Sequence, residues 1–155
     1  MISQIDLKCE VPQPARHEAE LDLVVPFTTP ELTRIAVGAA NRMGSGLNAA
    51  VRLVKIQIVP FPMDLDQSPV YIEFLKRQLE ALRSTLPATA EIRLAREFEA
   101  GLLGTLNRES IVVLATRKRL WRTRNERLAV SLRRAGHKVV LVFEGADKEG
   151  GSSHA

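Results

Sequence analysis

Five short runs rich in aliphatic and β-branched residues, Leu21 to Pro26, Ala50 to Val59, Glu91 to Ala95, Ser110 to Ala115 and Lys138 to Phe143, alternate with segments whose apolar residues recur every three or four positions. Strands separated by helices cannot be joined as hairpins. Each crossover returns the chain to the starting edge of the sheet, so neighbouring strands run parallel and the crossovers are right-handed. A strand covered on both faces reads as an unbroken apolar run, as Ile111-Val112-Val113-Leu114 does. The expected fold is α/β: a doubly wound five-stranded parallel sheet with helices on both faces.

The helical segments carry their own start and stop signals. Thr29 is placed to cap a helix, Pro30 occupies its first position and Glu31 its first turn. Leu32, Ile35, Ala36, Ala39, Ala40 and Met43 then share one face until Gly44-Ser45-Gly46 ends the helix. A second helix is expected from Ser68-Pro69 to Pro87, turning Tyr71, Phe74, Leu75, Leu79, Leu82 and Leu86 inward. A short third helix carries Phe98, Leu102, Leu103 and Leu106. A fourth carries Leu128, Leu132 and Ala135 and stops at Gly136.

At 155 residues the chain is the size of one ordinary domain, assigned to residues 21–144. Residues 1–20 form an N-terminal extension in which Ile5, Leu7, Cys9 and Val11 alternate with polar neighbours, a pattern for an extra edge strand or an arm. Residues 145–155, rich in glycine and serine, read as a disordered tail. No apolar run reaches the roughly eighteen residues of a membrane helix, and the first residues lack the pattern of a secretory signal, so no membrane insertion and a cytoplasmic location are expected. Cys9, alone, fits a reducing compartment. His17, His137 and His154 have no metal-ligand spacing, and Asp64 with Asp66 offer too few oxygens for a cation. No metal site and no catalytic residue are therefore expected.

Charge is concentrated in one place. Arg117, Lys118, Arg119, Arg122, Arg124, Arg127, Arg133 and Arg134 face a single nearby acid, Glu126, in a chain whose net charge is +4. A field of that sign suits phosphate, nucleic acid, an acidic protein or an anionic lipid surface, and equally a solvated helix face. Trp121, the only tryptophan, reads as an anchor of the fourth helix on the sheet, beside Leu128.

From Leu21 to Glu144 the order and lengths of these elements resemble the universal stress protein family. The resemblance rests on Leu23-Val24-Val25-Pro26 followed at once by a helix, and on Ser110 to Ala115 followed by a helix and then Lys138-Val139-Val140-Leu141-Val142. ATP-binding members carry an aspartate after the first strand and the signature G-x-x-G-x(9)-G-[ST] after the fourth, whose glycines let backbone amides approach the phosphates. Here Pro26-Phe27-Thr28-Thr29 lacks the acid, and the loop from Ala115 to Ala129 contains no glycine.

The resemblance thus implies a non-enzymatic stress-response or regulatory binding module in which ATP or AMP is not held in the usual mode. Its pocket would lie at the switch point between the first and fourth strands. Phe27, Thr28, Thr29, Ala115, Thr116, Arg117, Lys118, Arg119 and Arg124 are the candidate ligand-binding residues, with the loop Pro60 to Pro69 as a lid. Two alternatives stay open: a nucleotide- or anion-binding protein that uses the basic turn 117–124, and an electrostatic adaptor for nucleic acid or an acidic protein. Family members commonly dimerise through their last strand, which implies a homodimer with Val139, Leu141 and Phe143 at the interface.

Overall fold

The computed structural model describes residues 21–61, 69–83 and 88–145. The N-terminal extension, Asp64, Asp66 and most of the expected lid, and the tail beyond Gly145 lie outside the described residues. Among the described residues nine elements follow in strict alternation: β1 (Leu21–Pro26), α1 (Pro30–Gly44), β2 (Ala49–Ile58), α2 (Pro69–Arg83), β3 (Thr89–Ala95), α3 (Phe98–Leu103), β4 (Ile111–Thr116), α4 (Arg124–Arg134) and β5 (Lys138–Phe143). The strands form one five-stranded sheet in the order β3-β2-β1-β4-β5, and every pairing is parallel. The doubly wound α/β fold expected from the alternation is therefore the fold observed.

Side-chain alternation divides the core into two layers. On one face Leu23, Val25, Val51, Leu53, Val113 and Ala115 pack under Ala36, Val37, Ala39 and Ala40 of α1 and Leu79 and Leu82 of α2. On the other, Val24, Val54, Ile56, Val112 and Leu114 pack under Leu102 of α3 and Ala129 and Leu132 of α4. The close approach of α3 requires glycine at position 101, where a Cβ would lie 2.6 Å from the Ala95 Cβ and 3.0 Å from the Ile56 Cγ2.

The helix termini obey the local signals. Thr29 caps α1 by accepting from the Leu32 N–H at 3.3 Å, with Pro30 behind it. Gly136 ends α4 in the left-handed region at φ 93°, where the His137 N–H reaches the Leu132 carbonyl and the Gly136 N–H reaches that of Arg133. Two expected core positions are overturned. Phe74 is 58% exposed, because the inward stripe of α2 runs through Leu75, Leu79 and Leu82 and Phe74 lies about 100° off it. Ala135 is exposed, since it is the C-cap of α4 and no longer follows the helical face.

A polar network ties the amino-terminal edge of the sheet together. Arg52 on β2 donates from Nε and Nη2 to the two carboxylate oxygens of Asp22 on β1, both at 2.8 Å. It also donates to Glu91 of β3 at 3.2 Å and to the Thr105 carbonyl at 3.0 Å. The Ser110 hydroxyl completes the set by donating to Asp22 at 2.6 Å. Burial pushes the Asp22 carboxyl upward, but the hydrogen bonds from Arg52 and Ser110 and the charge of Arg52 outweigh it and hold the group below its ordinary value. Ser110 precedes the strand, which begins at Ile111, and its N–H is bonded to the Asn107 carbonyl.

Candidate functional site

Because all five strands point the same way, the turns that follow β1, β2 and β4 meet at the opposite, carboxyl-terminal edge. The strand order reverses between β1 and β4, so the loops leaving these neighbours diverge to the two faces and open a crevice. The crevice is a cleft of about 1090 Å³, slightly larger than the usual upper size of small-molecule sites. Phe27, Thr28 and Thr29, after β1, line its middle, with the turn after β4 on one side and Lys55, Ile56, Gln57 and Ile58 of β2 on the other.

Of the residues singled out from sequence, Phe27, Thr28, Thr29, Thr116, Arg117, Arg119 and Arg124 line this cleft. Ala115 and Lys118 do not. Ala115 is buried beneath it, and its carbonyl accepts from the Asn125 side chain at 2.7 Å; the same amide reaches the Thr28 hydroxyl at 3.3 Å. Asn125 thus fastens the start of α4 to both strands that flank the switch point. Lys118 is exposed outside the cleft.

Local chemistry limits what the turn after β4 can offer. Thr123 caps α4 by accepting from the Glu126 N–H at 3.2 Å, while the Glu126 carboxylate accepts the Thr123 N–H at 2.5 Å. This capping box consumes two of the helix's free donors and places a carboxylate at its positive end, where an anion would otherwise sit. The Thr116 and Thr123 hydroxyls, 2.5 Å apart, clamp the two ends of the turn. With no glycine in this turn and two donors of the helix start taken, side chains are the principal groups left to meet an anion in the cleft.

Those side chains are not equally available. Arg117 is paired with Glu144 at 2.6 Å, and the Arg124 guanidinium lies over the Phe98 ring at 5.6 Å. Arg119, Arg122 and Arg127 line the cleft with no ion pair among the described residues. Lys55 is the cation that sequence reasoning missed. Its ammonium sits 4.3 Å from the centroid of the Phe27 ring, and burial alone pushes its pKa down from the ordinary 10.5. The available signal was a lysine on a strand face otherwise occupied by Val51 and Leu53. The acids in the lining are Glu31 and Glu99, the latter accepting a hydrogen bond from Ser131, so cations dominate the field.

Trp121 does not anchor α4. It is 84% exposed and Leu120 beside it fully so, because α4 begins only at Arg124 and both residues ride on the turn that precedes it. Ala129 and Leu132 hold the helix to the sheet instead.

No protein-family model matches the chain, and no curated protein matches it. Among solved structures, a universal stress protein from Archaeoglobus fulgidus is 14% identical with a TM-score of 0.53, the match covering 79% of this chain and 93% of that one. A protein from the universal stress protein family from Burkholderia pseudomallei is likewise 14% identical, with a TM-score of 0.51 and coverage of 82% and 98%. A universal stress protein in complex with cAMP is 18% identical, with a TM-score of 0.49 and coverage of 81% and 98%. At the carboxyl edge of a β3-β2-β1-β4-β5 sheet, then, the chain carries its cleft on the α/β fold of the universal stress proteins.

Proposed function

We propose that this protein is a non-enzymatic binding module, of the regulatory kind found on this fold, that holds a small organic anion in the cleft at the carboxyl ends of β1, β2 and β4. The observation that carries the reading is Lys55: an ammonium half-withdrawn from water, stacked on Phe27, with no carboxylate partner among the described residues. Such a charge penalises the fold unless something anionic meets it. Arg119, Arg122 and Arg127 supply further positive charge, while Phe27, Ile56, Phe98 and Leu128 supply apolar wall. A ligand with an anionic group and an apolar or aromatic body matches both.

ATP or AMP gripped by a glycine cradle does not fit this reading, since the turn after β4 has no glycine and Glu126 occupies the helix start. Thermal unfolding against ATP, AMP, an aryl phosphate, pyrophosphate and sulfate tests it. A ligand at a hundred times its dissociation constant stabilises by roughly 2.7 kcal/mol. For a domain of this size that is about 5–10 °C. A shift with the organic anions that sulfate does not reproduce is expected. Equal shifts with sulfate, or none with any compound, would sink the reading.

The module is further proposed to act in the cytoplasm as a homodimer paired through β5. That strand is an edge of the sheet, and Val139, Leu141 and Phe143 are only half-buried. Leu141→Lys is expected to convert a dimer to a monomer in sedimentation. A monomeric parent, or a dimer indifferent to the substitution, removes the pairing.

A further inference from the structure

The turn between β4 and α4 presents two consecutive large apolar side chains to water, Leu120 at 100% and Trp121 at 84% exposure. Scattered apolar residues on a surface need no explanation, but this pair stands at the head of a turn with Arg117, Lys118 and Arg119 on one side and Arg122, Arg124 and Arg127 on the other. The turn is also built to hold its shape. The Thr116–Thr123 hydroxyl contact, the Arg117–Glu144 ion pair, the Glu144 N–H bond to the Thr116 carbonyl and the capping box secure both its ends. On the same edge of the sheet, beyond the end of β2, Phe61 is 80% exposed.

We propose that this turn is a docking element for an anionic lipid surface. Leu120 and Trp121 enter the interfacial region while Lys118, Arg119 and Arg122 meet lipid phosphates and carboxylates. Charge complementarity selects an anionic leaflet, and the paired apolar tip selects lipid over the other polyanions. A fully exposed leucine has neither a stacking face nor a hydrogen-bonding group for a base, and single-stranded nucleic acid is held by successive aromatic platforms, of which this turn has one. Tryptophan, with an apolar body and one N–H, is suited to the membrane–water boundary. The docking is peripheral, consistent with the lack, among the described residues, of a helix long and apolar enough to cross a membrane. Arg119, Trp121 and Arg122 also line the cleft, so the vesicle measurements are made without small anions, and a loss of anion binding on substitution of these residues does not bear on the docking.

Trp121 is the only tryptophan of the chain, so its fluorescence reports the tip directly. Adding phosphatidylcholine vesicles containing phosphatidylserine is expected to shift its emission to the blue and to carry the protein down in sedimentation, whereas phosphatidylcholine alone does neither. Arg119→Gln with Arg122→Gln should weaken partitioning by about 25-fold, each cation near such a surface contributing about fivefold. Leu120→Ser with Trp121→Ser should reduce sedimentation comparably. Both changes lie on exposed positions, and an unaltered melting temperature confirms that the fold survives them. Binding that leaves Trp121 emission unchanged and persists in the Leu120→Ser, Trp121→Ser protein would overturn the inference in favour of charge alone. An absence of binding would overturn it outright, as would Trp121 quenching by a single-stranded RNA without any response to vesicles, which would assign the turn to nucleic acid.

Discussion

Asp22→Asn is expected to lower the melting temperature at neutral pH by about 5–10 °C, the largest loss from a single substitution outside the apolar core. Removing one partner of a buried ion pair costs about 3–5 kcal/mol. Here the side chains keep 21% and 23% exposure, and Arg52 retains Glu91 and the Thr105 carbonyl, so about 2–3 kcal/mol is the appropriate scale. In a domain of this length each kcal/mol moves the transition by about 2–4 °C. The pH dependence supplies an independent check. The folded carboxyl titrates below the ordinary 3.8, so its stabilisation is fully present above that value and is lost as the pH falls through the folded pKa. The parent should therefore lose stability more steeply than Asp22→Asn in the acid range below about pH 4. Denaturant unfolding at a series of pH values reads both effects, and parallel curves would show that Asp22 contributes nothing through its charge.

Lys55→Met should do the opposite to stability and still damage function. The folded ammonium has a pKa below its unfolded value of 10.5, so at neutral pH the charged form penalises the fold, and the penalty is relieved as pH rises through the folded pKa toward 10.5. Methionine keeps the stem over Phe27 and discards the charge. Stabilising changes of this kind typically gain about 0.5–2 kcal/mol. A charged hydrogen bond to a ligand contributes about 1.5–3 kcal/mol, so affinity for an organic anion should fall by about 10- to 100-fold. A more stable protein that binds worse is the signature of a residue kept for its ligand. Lower stability with affinity intact would mean that Lys55 serves packing alone. The stability advantage of Lys55→Met over the parent should also narrow as the solution is made alkaline.

What the sequence disclosed was whatever a few adjacent residues decide. Thr29-Pro30-Glu31 at the start of α1 and Gly136 at the end of α4 are local signals, and five apolar runs between amphipathic segments leave little choice of architecture. Failures followed from the same locality. Trp121 reads as an anchor of α4 because it is apolar and near Leu128, yet Thr123 with Glu126 three residues on marks a helix that starts beyond it. The Asp22–Arg52–Ser110 network joins residues 30 and 88 positions apart, and no spacing connects them. In the cleft, the rim residues were legible because they follow strand ends directly. Lys55 and Asn125 were not, since one lies inside a strand and the other inside a helix, and only the packing of β2 and α4 brings them to the crevice.

Strand β2 carries two cations three positions apart, about 10 Å along the strand and on opposite faces. Arg52 is fully engaged at one end of the sheet; Lys55 stands uncommitted near the other. Separation of that kind makes substitutions near the two nearly additive. Remodelling around position 55 should thus change what the cleft admits, while the rivet at position 52 continues to hold β1, β2 and β3 together.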